Sequence, residues 1–398
     1  MNRWIAGTLI AAFLMGGCQS TVKQTKEQAS LRWQKTRAQM LYGVAVEHFR
    51  AGQLDRAQGK ALEALALSPD SADARLLLGK IYIEQGYYAL AANELRKTFS
   101  QLPRSAEAAY MLGVAQEKCG RLDEAMASYR KAHALDSSRH HAVMAAAEVL
   151  VAMGRVQEAQ IYVEGYLGLA SDEPGMFELA GRLAVMLNDY ELGAKDYQQA
   201  LDLDPKNNCY REALGRAQFH ARQYSQAMET LRGVTTDPNY ECPAWVHTML
   251  GDCYMAQNRP RDAREAYNAA KELRPSSPGV WVNIAKAALA IGDAPRAILA
   301  GQEALRLDSR SLDALMLVGY ALVCDKQFER AVVLLAGAAA TFPDSGMLQC
   351  LLGRAYDAAG QSAKAARCYA AALTLEPDNP LARELLGGAE DAQRALPE

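Results

Sequence analysis

An all-α fold is predicted for this chain: a solenoid of about ten stacked helical hairpins, ended by a capping helix. Three observations lead there. The 398 residues exceed what one hydrophobic core usually organises, so the chain is either several domains or a repeat array. Self-similarity decides between them. Units begin at Ala38, Ala72, Ala106, His140, Pro174, Asn208, Ala244, Pro278, Leu312 and Gly346, and every interval is 34 residues except the 36 between Asn208 and Ala244. Within this grid two columns admit only small residues. The eighth place is Gly or Ala in every unit from Ala45 to Gly353, and so is the twentieth from Ala57 to Ala365.

Each unit reads as two amphipathic helices. In the last, Gly346 to Asn379, apolar or small residues recur at helical spacing through Leu348, Leu352, Gly353 and Tyr356. A glycine-centred break follows at Gly360, then a second run marked by Ala365, Tyr369 and Ala372, and a stop at Pro377. Small side chains at Gly353 and Ala365 let two helix backbones approach closely where they cross. Leu, Gly, Tyr, Ala, aromatic, Ala and Pro at these offsets resemble the tetratricopeptide repeat. The resemblance covers Ala38 to Asn379. It implies a right-handed superhelical α-solenoid whose first helices line a concave groove, in a family that binds extended peptides or helices through positions two, five, nine, twelve and thirteen of the unit.

Departures from the pattern are local. Helix-ending prolines recur at Pro69, Pro103, Pro205, Pro275, Pro343 and Pro377. The fourth unit carries Tyr166 where a small residue is usual and ends in SDEP, so its second helix is expected to pack less regularly. The longer interval contains TTDPNYECPAW, whose Pro238 and Pro243 exclude continuous helix. After the grid, residues 380–398 are helical in pattern and more polar, as the exposed end of a stacked array must be, and are expected to form the cap.

Before the grid, residues 1–17 have the layout of a secretory signal peptide: a charged start at Arg3, an apolar run from Ile5 to Met15, then Gly16 and Gly17. That run is too short to cross a ~30 Å hydrocarbon core as a helix. Leu14-Met15-Gly16-Gly17-Cys18 resembles a bacterial lipoprotein box, which implies cleavage before Cys18 and lipidation (palmitate among the acyl chains) of that residue. Several acyl chains on one residue suffice for stable anchoring. Gln19 after the cysteine implies, by family analogy, sorting to an outer membrane. Residues 18–37 are then the lipidated N-terminus and a polar tether that becomes helical toward Trp33. The expected location is the bacterial cell envelope, facing the periplasm.

Composition narrows the function. With 43 basic and 46 acidic residues the net charge is −3, without the basic excess of a nucleic-acid binder. The grid leaves no room for a catalytic domain, and no phosphate-cradling loop or metal-ligand spacing occurs, so the chain is read as non-enzymatic, with no cofactor and no metal. The adjacent His140 and His141 would point about 100° apart on a helix, which disfavours a shared metal. Of the seven cysteines after Cys18, only Cys209 and Cys242, both at the entry of first helices in consecutive units, could approach for a disulfide. The plainer reading is seven small hydrophobes.

The resemblance places partner contacts in the groove. Position five is Tyr42, Leu76, Tyr110 and Met144 in the first four units, an apolar ladder. In the fifth and sixth it is Glu178 and Glu212, each four residues before an arginine, Arg182 and Arg216. Mutual pairing on a solvated face is the plainer account of these charges. A basic pair holding a partner carboxylate beside Phe219 and Trp245 is the sharper one. The expected function is a non-enzymatic, protein-binding scaffold, anchored through Cys18 and docking an envelope protein or peptide segment in its groove. The alternatives are a pilotin-like assembly factor for type IV pilus or secretion machinery, and an adaptor for cell-wall hydrolases. No nucleic acid or small-molecule substrate is expected, and the membrane only through the lipid.

Overall fold

The structure, a computed structural model, describes residues 4–169 and 172–394, with side chains for 26–169 and 172–387. The regular elements among them are α-helices, grouped into two compact units, Met1–Leu187 and Asn188–Glu398. The first unit contains α1 (Trp4–Arg50), α2 (Leu54–Leu67), α3 (Ala72–Glu84), α4 (Tyr88–Gln101), α5 (Ala106–Lys118), α6 (Leu122–Leu135), α7 (His140–Ala152), α8 (Val156–Leu167) and α9 (Pro174–Met186). The second contains α10 (Tyr190–Leu203), α11 (Asn208–His220), α12 (Tyr224–Thr235), α13 (Ala244–Ala256), α14 (Pro260–Leu273) and α15 (Pro278–Ile291). It continues with α16 (Ala294–Leu307), α17 (Leu312–Cys324), α18 (Phe328–Thr341), α19 (Gly346–Ala358), α20 (Ser362–Leu375) and α21 (Pro380–Arg394). Each odd-numbered helix from α3 to α19 starts on the first residue of a sequence repeat.

Those starts have a local cause. Ser71, Ser105, Ser311 and Ser345 precede first helices and accept the backbone N–H three residues on, while Pro174 and Pro278 occupy the first turn, where no N–H is needed. The first repeat lacks such a signal. Arg37 stands before Ala38 and no proline occurs from Met1 to Gln53, so α1 runs 47 residues through Ala38 without a break. The polar stretch 18–37 is accordingly helical in its backbone. The side chain of Cys18, and with it the proposed lipidation site, lies outside the described residues.

Each hairpin turns through one residue in the left-handed region. These are Gly52, Gly86, Gly120, Gly154, Asn188, Arg222, Asn258, Gly292, Lys326 and Gly360, in the same register as the repeats. Around them the chain closes in a recurring way. The N–H of the next residue bonds the carbonyl five back, as Tyr87 to Tyr82 at 2.8 Å and Gln361 to Tyr356 at 2.8 Å, which satisfies a carbonyl at the helix end.

Where the two helices of a hairpin cross, the eighth residue and the residue sixteen further on are matched in size. A Cβ on Gly79, Gly215 or Gly319 would stand 2.5, 2.5 and 2.4 Å from Leu95, Leu231 and Leu335, and on Gly113, Gly251 or Gly353 2.7, 2.3 and 2.3 Å from the rings of Tyr129, Tyr267 and Tyr369. Where the eighth residue is Ala45, Ala147 or Ala285, its counterpart shrinks to Ala61, Val163 or Gly301. Conserving the volume of the crossing keeps the interior close-packed without overpacking. Hydrophobic clusters run along each unit: Ala45 to Ala115 and Ala125 to Leu183 in the first, and Ala227 to Ala355 in the second.

The irregular repeat and the ends differ as follows. Helix α8 is 12 residues long, and Tyr166 at its end stacks edge-on with His133 at 4.8 Å and with Tyr162 at 5.2 Å rather than crossing a partner closely. Residues 236–243, between α12 and α13, are not helical. Helix α21 lies against the last hairpin, its Ala382 packing with Cys350 and Ala372. No helix among the described residues is long and apolar enough to cross a membrane.

Candidate functional site

Positions five and nine of the first helices are not consumed by the crossings, so their side chains are available for other chemistry. In the unit Met1–Leu187, Tyr42 and Leu76 are half-buried against one cluster, and Tyr110 and Met144 against the next. The ladder read from sequence is therefore two pairs, each partly embedded in its own core. The Tyr110 ring lies 4.6 Å edge-on from His141 and 5.4 Å from Tyr129, and burial raises its phenol above the usual value. His141 thus joins an aromatic contact.

The charges on this face neutralise one another. Arg182 bonds Glu148, one repeat back at the same position, and lies 3.6 Å from Glu178, its i, i+4 neighbour. Burial, reinforced by Glu148, raises the Glu178 carboxyl despite the arginine. Lys80 of α3 likewise bonds Glu107 of α5, the next first helix. For Arg182, mutual pairing is what the structure shows, with a second carboxylate that sequence inspection of one helix alone did not supply.

The unit Asn188–Glu398 handles its charges differently. The guanidinium of Arg216 lies over the Trp245 ring, 4.6 Å from its centroid, and makes no ion pair among the described residues. Its i, i+4 neighbour Glu212 instead accepts a hydrogen bond of 2.9 Å from the hydroxyl of Tyr240. Burial, more than that bond and Arg216 can offset, raises the Glu212 carboxyl. Tyr240 lies in the non-helical segment 236–243, within the interval that is two residues longer than the rest, so the irregular repeat shapes this part of the face. Phe219 is half-buried and packs edge-on against Tyr224 of its own hairpin at 5.7 Å, a structural contact. Arg182 and Arg216, read from sequence as a pair, belong to different compact units.

Beside Trp245 a cavity of about 620 Å³ opens across α13, α15 and α17, lined by Trp245, Thr248, Asp252, Val282, Lys286 and Asp313 among others. All six stand at positions two, five or nine of the seventh, eighth and ninth units. Asp252 accepts a 2.6 Å bond from the buried Tyr267 hydroxyl, and burial raises its carboxyl. Further along, Arg354 lies over Tyr320, 5.4 Å from the ring centroid. Lys286 and Arg354 were legible: applying the register that found Arg182 and Arg216 to the remaining repeats reaches both. The place of Tyr240 had no sequence signal. All seven described cysteines are free thiols, Cys209 and Cys242 included, and no cluster of residues suited to a metal ion occurs among the described residues.

A sequence profile of the tetratricopeptide repeat matches residues 42–97, 82–140, 178–241, 248–311 and 350–398. The human protein O-mannosyl-transferase TMTC1 is 29% identical over 219 residues, 52% of this chain and 24% of its own length. Mouse tetratricopeptide repeat protein 21A is 24% identical over 278 residues, 62% of this chain and 20% of its own length. The chain thus spans a quarter or less of the length of these two relatives. Among solved structures, the APC/C hetero-tetramer Cut9–Hcn1 covers 89% of this chain and 96% of its own at 12% identity and a TM-score of 0.43. A tetratricopeptide repeat protein from Parabacteroides merdae ATCC 43184 covers 64% and 99% at 14% identity and 0.44.

Proposed function

Because this chain belongs to the tetratricopeptide repeat family, we propose that it is a protein-interaction scaffold that docks a partner segment on its first-helix faces. The observation that carries this reading is the Arg216–Trp245 stack at the edge of a cavity of about 620 Å³. Arginine and tryptophan dominate interface energies, and neither side chain here is fixed by a helix crossing. The reading is non-enzymatic. Carboxylates that could serve as acid or base have a structural use: Glu117, Asp252 and Asp357 accept hydrogen bonds from Tyr129, Tyr267 and Tyr369, the tyrosines set by the crossings.

In this proposal Cys18 carries the lipid and the array faces the periplasm of a bacterial envelope, with an envelope protein as its partner. The motif of residues 14–18 supports the anchor. The alternatives are a role as a pilus or secretion assembly factor and a role as an adaptor for cell-wall hydrolases. Capture from solubilised envelopes tests the docking surface: Trp245→Ala and Tyr110→Ala variants that keep their helical circular dichroism are expected to lose the partner retained by the unaltered chain. Retention by both variants overturns the reading. Cys18→Ser is expected to release the chain from salt-washed membranes, and a variant that stays with them overturns the anchor.

A further inference from the structure

Resting on the reading of the first-helix faces as docking surfaces, we propose that the face of Asn188–Glu398 takes an acidic peptide segment, its carboxylates seated on Arg216, Lys286 and Arg354. These three cations stand at position nine of the sixth, eighth and tenth repeats. All are exposed, and none has a carboxylate within ion-pair distance among the described residues. Two rest on rings, Arg216 on Trp245 and Arg354 on Tyr320, an arrangement that orients a guanidinium while leaving its N–H donors for an incoming acceptor.

The carboxylates on the same face are mostly committed elsewhere. Glu212 accepts from Tyr240, Asp252 from Tyr267 and Asp357 from Tyr369, so their hydrogen bonds are to tyrosine hydroxyls, while Arg216 and Lys286 act on Glu212 and Asp252 only by charge, without an ion-pair contact among the described residues. Asp308 and Asp313, both in the lining of the cavity, are exposed, and Asp308 accepts the backbone N–H of Arg310. Lys286 lies in the same lining, next to the raised Asp252. The spacing suits an extended segment: the cations recur at alternate repeats with Asp252 and Tyr320 between, so carboxylates separated by apolar or neutral residues match it better than a solid acidic run. An aliphatic side chain between two carboxylates has Trp245 and Val282 to lie on.

The test uses the full chain and a fluorescein-labelled peptide alternating glutamate with leucine, compared with the same peptide carrying glutamine for glutamate. The acidic peptide is expected to bind, with affinity falling as salt rises, and the glutamine peptide at least about tenfold more weakly. Arg216→Glu with Lys286→Glu is expected to abolish the difference, and Arg216→Gln with Lys286→Gln to reduce it, with unchanged circular dichroism. No binding of the acidic peptide, or equal binding of both peptides, overturns the acidic-partner inference. Equal binding that Trp245→Ala still weakens leaves the docking surface standing. Binding of either peptide that is indifferent to Trp245→Ala and Tyr110→Ala overturns the docking surface as well.

Discussion

Repeats of one period are used differently in the two compact units. In Met1–Leu187 the described turns are all glycine, Gly52, Gly86, Gly120 and Gly154, and the first-helix charges pair among themselves, Lys80 with Glu107 and Arg182 with Glu148 and Glu178. In Asn188–Glu398 only Gly292 and Gly360 fill the turns, beside Asn188, Arg222, Asn258 and Lys326, and the position-nine cations lie on aromatic rings or in the cavity lining. Packing requires a left-handed turn and a volume-matched crossing, and both units supply them. It does not require a particular side chain at positions five and nine, so chemistry diverges there without cost to the scaffold.

The largest effect is expected where the two units are alike. Gly113→Ala and Gly251→Ala each place a Cβ against a buried tyrosine ring whose hydroxyl is held by a carboxylate, so the ring cannot swing away, and each is expected to cost about 1–3 kcal/mol. In a solenoid, loss of hydrogen-exchange protection should stay near each site, around α5–α6 for the first and α13–α14 for the second. Gly59→Ala, with nothing within 4 Å of the new Cβ, is the control and should be neutral or stabilising. Equal losses at all three sites in denaturant titrations would dissolve the crossing rule.

Next are the turns. A side chain in the left-handed region costs roughly 1 kcal/mol relative to glycine, so Lys326→Gly and Arg222→Gly are expected to stabilise Asn188–Glu398 by about that much. Gly86→Lys is expected to destabilise the other unit by a similar amount. A rise in denaturation midpoint for the first two and a fall for the third would sharpen the contrast; no change in any would remove it.

Smaller is the effect of deleting a cation. Arg182→Ala leaves Glu148 and Glu178 facing each other and is expected to cost about 0.2–1 kcal/mol, as partly exposed pairs do. Arg216→Ala breaks no ion pair among the described residues and should stay within about 0.5 kcal/mol while weakening partner binding. An equal stability loss for both would show that Arg216 serves the fold.

The smallest effect concerns pH. Burial lowers the imidazoles of His141 and His247 below their ordinary 6.5, because folding disfavours the charged form. Their contribution to stability is present above 6.5 and is lost as pH falls through the lowered values. For His247, where burial acts alone, His247→Gln is expected to flatten the decline in denaturation midpoint between neutral and mildly acidic pH. An unchanged slope would assign the decline to other groups.

Much of this was legible beforehand because helix geometry acts on neighbours in sequence. Proline stops, the small eighth residue and a 34-residue period are all local or periodic, and they located every first helix from α3 to α19 to the residue. That α1 runs through Ala38 without a break was not legible, since absence of a breaker is a weaker signal than its presence. Arg182 illustrates a second limit. Its i, i+4 partner Glu178 is readable from one helix, but Glu148 is 34 residues away and comes into reach only when two repeats stack.

The sequence by itself determined the fold class, the repeat boundaries and the family, because these follow from propensity and from spacing that every unit repeats. Only the tertiary structure decided which charges are satisfied and which are open to a partner. Arg182 and Arg216 occupy the same position four residues after a glutamate. One is enclosed by two carboxylates, while the other loses its glutamate to the Tyr240 hydroxyl and settles on Trp245. That outcome depends on side chains brought together from separate repeats and from the interval that departs from the period, where local pattern carries no information about who meets whom.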